Sequence, residues 1–176
     1  MYSEKFKNLV LYVLSHEDYQ EGGIKKLNKL LYFIDFYFYR DHERLISGAR
    51  YAKADMGPIV DGYKTIFNEL EKDHFLEMVN GDGFVAYKPV IASDINLFTP
   101  EEIDHIGRVL DRYGKLPGID LEGISHGQQP WLLTENMGDF IDPDLALLMA
   151  EDNAEESETV ENEGLKTELV NLANAA

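Results

Sequence analysis

The chain contains no cysteine. That excludes disulfides, thiolate nucleophiles and cysteine-ligated zinc or iron–sulfur centres. It has no apolar run of about 18 residues, so no transmembrane helix is expected. The opening segment MYSEKFKNLV is interrupted by Glu4, Lys5 and Lys7 and offers no signal-peptide core, so a cytoplasmic protein is expected. Cations are scarce: 16 Lys and Arg face 33 Asp and Glu, a formal net charge of −17. Gripping a phosphate backbone takes clustered Lys and Arg, so nucleic acid is a disfavoured partner and a basic protein surface a better one. Motifs that carry chemistry are missing as well. His16, His42, His74, His105 and His126 form no HExxH, and no two are four apart. There is no GxSxG elbow, and the glycines at 81 and 83 do not open a GxxxxGK[ST] loop. Ser125 and His126 are sequence neighbours, so their side chains diverge rather than pair. The reading is of a protein without catalytic, metal or cofactor residues.

What the chain does have is apolar bulk: 44% hydrophobic residues, with ten Tyr and nine Phe. That is enough for one domain-sized core. Charge is uneven along it. Residues 142–176 hold ten acidic residues and one basic residue, Lys166, a net of −9, against −8 for the other 141. The expected organisation is a domain over 1–141 and an acidic extension over 142–176, partly disordered or weakly helical through Val160, Leu165, Leu169, Val170 and Leu172.

Helical periodicity starts after Ser3, a candidate N-cap, with Phe6, Leu9, Val10, Val13 and Leu14. Ile24, Leu27, Leu31, Ile34 and Phe38 mark a second helix, widened by Leu30, Phe33 and Tyr37 until it must be buried on most sides. Lys25, Lys26 and Lys29 are expected on its solvated face; the alternative is a DNA-binding surface shared with a following hairpin. Ala49–Lys53 reads as a short strand, and Met56-Gly57-Pro58 as the start of a third helix with Pro at its first position. FLEMV and FVAYK around NGDG read as a hairpin near 75–88, ended by Pro89. FTPEEIDHIGRVLDRYG carries a capping box at Thr99 and Glu102, and Gly114 is expected as a left-handed C-cap. His105 is placed off the stripe of that helix, at the surface. LEGISHGQQPW is expected as a helical turn running into a loop, with a last turn from Asp142-Pro143. With no βαβ alternation, the fold class is α+β: a mainly helical domain with a small antiparallel sheet.

Four stretches occur in order: KKLNKLLYFIDFYFYR (25–40), YAKADMGPIVDGYKTIFNEL (51–70), FTPEEIDHIGRVLDRYG (98–114) and SHGQQPW (125–131). As a set, over roughly residues 5–135, they resemble the Panacea domain, the SocA-like antitoxin family. The resemblance implies an antitoxin of a bacterial or prophage toxin–antitoxin system that neutralises a cognate toxin encoded by an adjacent gene. It brings no catalytic residue and no cofactor. It leaves open whether the toxin is occluded directly or handed to a AAA+ protease, and whether the chain also binds DNA to regulate its own synthesis. For direct binding, Tyr32, Phe36, Tyr39, Tyr51 and Trp131 are the expected toxin-contacting aromatics, with Asp35 as an ion-pair or hydrogen-bonding partner. Ser125, His126 and Trp131 form a motif loop, either packed on the core or used in recognition. The acidic extension entering a basic cleft of the toxin is a further reading.

Overall fold

The computed structural model describes residues 2–20, 22–80 and 83–150. Its organising element is helix α2, Ile24–His42, 19 residues long. Apolar side chains occur on so many of its faces that no single partner could cover them, and the other elements wrap it. Helices α1 (Glu4–Ser15), α4 (Pro100–Tyr113) and α5 (Gly118–His126) all pack on it. So do strands β2 (Ile59–Val60) and β4 (Val85–Pro89) and a 3-10 helix over Pro143–Leu148. Leu27, Leu30, Leu31, Tyr32, Phe33, Ile34, Phe36 and Phe38 are all essentially sealed from solvent.

Local chemistry explains most element ends. The Ser3 hydroxyl accepts from the Phe6 N–H at 3.0 Å and caps α1. Thr99 and Glu102 close the capping box of α4 reciprocally, at 3.2 and 3.0 Å. The hairpin of β3 (Leu76–Asn80) and β4 (Val85–Pro89) pairs Leu76 with Pro89 and Asn80 with Val85, as the two apolar runs require. The Asp142 side chain caps the 3-10 helix. The class is α+β, mostly helical with two small antiparallel two-stranded sheets.

Three expectations are corrected. Pro58 opens no helix. Ile59–Val60 is strand β2, paired with β1 (Tyr51–Ala52), and helix α3 (Tyr63–Lys72) starts only after Gly62 turns the chain at φ 68°. The β-branched pair reaches more by laddering to β1 than by starting a helix. Gly114 is right-handed, φ −62°, yet still has to be glycine: an added Cβ would lie 2.5 Å from the Leu110 carbonyl oxygen and 2.6 Å from that of Asp18. LEGISHGQQPW is two helices, α5 and α6 (Gln129–Leu133), with Pro130 in the first turn of α6. The segment past 141 also joins the core: Ala146 and Met149 are buried, and the Arg40 guanidinium donates to the Ala150 carbonyl at 2.9 Å. The helix expected around Leu165 lies outside the described residues.

Three buried polar residues of α2, Asn28, Lys29 and Asp35, reach one neighbour, the segment 46–60. Asn28 accepts from the Val60 N–H at 2.8 Å while its amide donates to the Ile24 carbonyl. The Lys29 ammonium donates to the Pro58 carbonyl at 2.9 Å. Asp35, wholly buried, accepts from the Ser47 N–H at 2.8 Å, the Tyr51 hydroxyl at 2.7 Å and the Ser47 hydroxyl. A buried donor stripped of its acceptor costs about 1–3 kcal/mol. Asp35→Ala strands the Ser47 N–H and the Tyr51 hydroxyl together, so it should lower unfolding free energy by about 3 kcal/mol or more. Asp35→Asn, which keeps an acceptor, should lose less. Urea unfolding of the three proteins checks the order.

Candidate functional site

The expected contact residues separate into two groups. Tyr32, Asp35, Phe36 and Tyr51 come together, but beneath the surface, each 0–2% exposed. Tyr51 stands edge-on to Phe36 at 5.5 Å and to Tyr32 at 5.8 Å between ring centroids. Enclosure pushes the Asp35 carboxyl above its ordinary range, against the pull of the Ser47 and Tyr51 bonds, and drives the Tyr51 phenol well up. Side chains with no exposed surface cannot touch a partner in this conformation; these four hold the 46–51 loop in place. Tyr39 and Trp131 differ. Both are half-buried and keep an edge in solvent. The Tyr39 hydroxyl donates to the Asp144 carboxylate, and that bond raises its pKa to about 12.

The motif loop forms a lock over the β1–β2 turn. The Trp131 indole N–H donates to the Ala54 carbonyl at 3.2 Å, and the Lys53 ammonium sits 4.4 Å from the centre of its ring. The His126 ring lies against the Trp131 indole, 4.2 Å between ring centroids. The Ser125 hydroxyl donates to the Glu122 carbonyl at 2.8 Å, within its own helix. Under the loop the chain passes Gly57 at φ 87°, where a Cβ would lie 2.5 Å from the Ser125 hydroxyl and 2.6 Å from Lys29 Cε. Only glycine fits there, by backbone conformation and by space alike. Three distant stretches thus meet at one junction: Lys29 of α2, Gly57-Pro58 of the turn, and Ser125 to Trp131. Gln128 ties it to α2 and α4, donating to the Tyr37 hydroxyl at 2.7 Å, itself 3.0 Å from that of Tyr113.

What this arrangement can do is hold shape. The Ser125 proton is spent on a carbonyl, and no hydrogen bond joins Ser125 to His126. Among the described residues, no three His, Asp or Glu are placed to hold a metal ion. The Tyr32 hydroxyl, His126 Nε2 and Gln128 Oε1 are buried without a hydrogen-bond partner in the protein.

Two placements overturn expectation. Lys26 and Lys29 are not on a solvated face: they are 3% and 1% exposed, their ammonium groups on the carbonyls of Gln20 and Pro58. Lys29 lies three, four and seven positions before Tyr32, Phe33 and Phe36, so it points where they point. The cationic face needed for DNA reading loses two of its three lysines. Arg44 is engaged as well, by Glu102. His105 is buried, not superficial. Its Nε2 is 2.9 Å from the Ile34 carbonyl, and its ring stands edge-on to Phe38. It belongs to the stripe of α4, four positions before Val109. Burial lowers its pKa against the pull of the Ile34 bond. Sequence reasoning also missed Glu102 as an ion-pair centre. Burial alone would raise its carboxyl, but the Lys5 ammonium at 2.8 Å, the Arg44 guanidinium and the Thr99 N–H outweigh that and lower it.

A family model described as antitoxin SocA-like, Panacea domain, matches residues 27–132 of the chain. No curated protein and no solved structure matches it.

Burial brings the Lys29 ammonium down to about 8, below the value of an exposed lysine. Between the two values the unfolded chain binds the extra proton, so this group makes the fold more stable as pH rises. Relative to Lys29→Met, the wild-type chain should gain about 2 kcal/mol of unfolding free energy from pH 8 to pH 10. Chemical denaturation at a series of pH values checks it; parallel curves would contradict the assignment.

Proposed function

We propose, for a chain that belongs to the SocA-like antitoxin family with the Panacea domain, neutralisation of a cognate toxin by direct protein–protein binding. The observation that carries this reading is what happens to the polar groups of the family-like stretches. Lys29, Asn28, Asp35, Ser125, Gln128 and Trp131 all spend hydrogen-bonding capacity on internal bonds. They build a rigid scaffold and leave no nucleophile beside a base. What the molecule offers outward is shape and negative charge, −17 over the chain. An acidic binder is steered toward a basic partner, and a toxin acting on tRNA or nucleotides presents a basic substrate cleft. The partner is thus a basic toxin from the adjacent gene, met in the cytoplasm. Of the aromatic residues, Tyr39 and Trp131 keep the solvent-facing edge that contact requires.

A proteolytic adaptor would also neutralise a toxin, but by removing it. The two routes separate in one experiment. The adjacent gene product is expressed with and without this chain, in cells that have and in cells that lack their AAA+ proteases. Direct binding predicts restored growth in both backgrounds, an unchanged toxin half-life and a complex that survives purification. Rescue that disappears with the proteases, together with a toxin half-life shortened by this chain, would replace occlusion by delivery. No rescue in either background would remove the antitoxin role.

A further inference from the structure

Six large apolar side chains near the end of the described chain are about half exposed. Leu132 and Leu133 belong to α6, Met137 and Phe140 to the segment after it, and Leu147 and Leu148 to the 3-10 helix; their exposures run from 49% to 58%. The three pieces adjoin. Helix α6 packs on the 3-10 helix. Lys53 links the other two, its ammonium donating to the Thr134 carbonyl at 2.6 Å and its N–H to the Asp139 carbonyl at 2.9 Å. Phe140 bridges to Ala52 in antiparallel fashion and walls one side of a groove of about 420 Å³ between residues 45–51 and 140–143.

The segment beneath is firmly held, so exposure here is not a frayed end. Ile141, Ala146 and Met149 of the same stretch are buried in the core, and the Ile141 N–H donates to the Tyr51 carbonyl at 2.9 Å. A held backbone that turns six large apolar groups outward is the arrangement of a docking face.

Charge states what should cover it. From Leu116 to Leu165 the sequence contains no Lys and no Arg. Glu135, Asp139, Asp142 and Asp144 lie between and beside the apolar six. Arg50, its guanidinium 3.5 Å from the centre of the Phe140 ring, is a cation at the edge of this face, but a second copy of this chain would also set these carboxylates against their own kind, which is repulsive. A partner with an apolar ridge flanked by Lys and Arg meets both features. Five of the six residues also lie beyond residue 132, where the match to the family model ends. The matched stretch supplies most of the scaffold, and the segment after it lies outside the match.

We infer that α6, the 137–140 segment and the 3-10 helix form the docking face for the cognate toxin, which presents an apolar ridge bordered by basic side chains. The inference rests on the antitoxin reading and adds where the toxin sits. Tyr39, bonded to Asp144, and Trp131, next to Leu132, border this face.

The test uses the full chain and an inactive variant of the adjacent gene product, titrated by calorimetry. Leu133→Asp with Leu148→Asp should weaken binding at least about 30-fold, the loss of a hot spot, with an unchanged melting temperature. Val90→Asp with Ile95→Asp, at comparably exposed apolar positions before α4, should leave affinity within about threefold. If the aspartate pair lowers the melting temperature, Leu133→Ser with Leu148→Ser is read instead, with at least about tenfold weakening expected. Tight binding that survives both substitutions overturns the docking face and leaves the antitoxin reading intact. A wild-type chain that does not bind the toxin removes both. Variants that dissociate a homodimer while binding toxin normally would make this face a self-interface and overturn the inference.

Discussion

Asp35 is the constraint on which the rest is arranged. A carboxyl on a helix surrounded by aromatic rings is stable only if its oxygens are occupied, and the chain occupies them with one loop. Ser47 supplies its N–H and hydroxyl, and Tyr51 its hydroxyl. Once that loop is fixed, β1 is fixed, and β1 sets the position of β2 on one side and of residues 138–141 on the other. Asn28 and Lys29 repeat the device about two turns earlier in α2, holding Val60 and Pro58. Replacing such groups with apolar ones of similar size need not cost stability, while removing one partner does. Their value is then in register: they tell the segment 46–60 where to lie against a helix whose apolar surface would accept it in many places.

Much of this was readable from the residues. The capping box at Thr99, the apolar runs around the Gly-rich hairpin loop, the Ser3 cap and the stripes of α1 and α2 are local signals, and the structure follows them. The failures have a common cause. Polar residues favour water, which argues for placing Lys26, Lys29 and His105 outside, yet the helical spacing of Lys26 to Leu30 and Phe33, of Lys29 to Tyr32 and Phe36, and of His105 to Val109 puts them inside. Periodicity was the stronger signal, since a helix that is apolar almost all round has no solvated face to offer. Pro58 misled because Pro-initiated helices and strand-flanking prolines look alike until the partner of Ile59 and Val60 is known. Gly114 was right as a glycine and wrong in its reason, because a close approach by Asp18 leaves no trace nearby in sequence. Of the expected contact aromatics, Tyr32, Phe36 and Tyr51 lie in the core and Tyr39 and Trp131 do not, a division that packing shows and composition does not.

The functional picture follows from where polarity is spent. Asn28, Lys29, Asp35, Ser125 and Trp131 of the family-like stretches are turned inward and bonded to backbone groups. The chain is acidic overall, with large apolar side chains exposed on a well-held segment over residues 132–148. The role proposed for such a molecule is recognition of a partner.

The most direct test of neutralisation by binding is a titration in vitro. The toxin's own activity is measured with purified components while the purified full-length chain is added, with no protease present. Stoichiometric occlusion predicts a linear fall in activity that ends at a fixed molar ratio. Full toxin activity at a large excess of this chain would contradict the account.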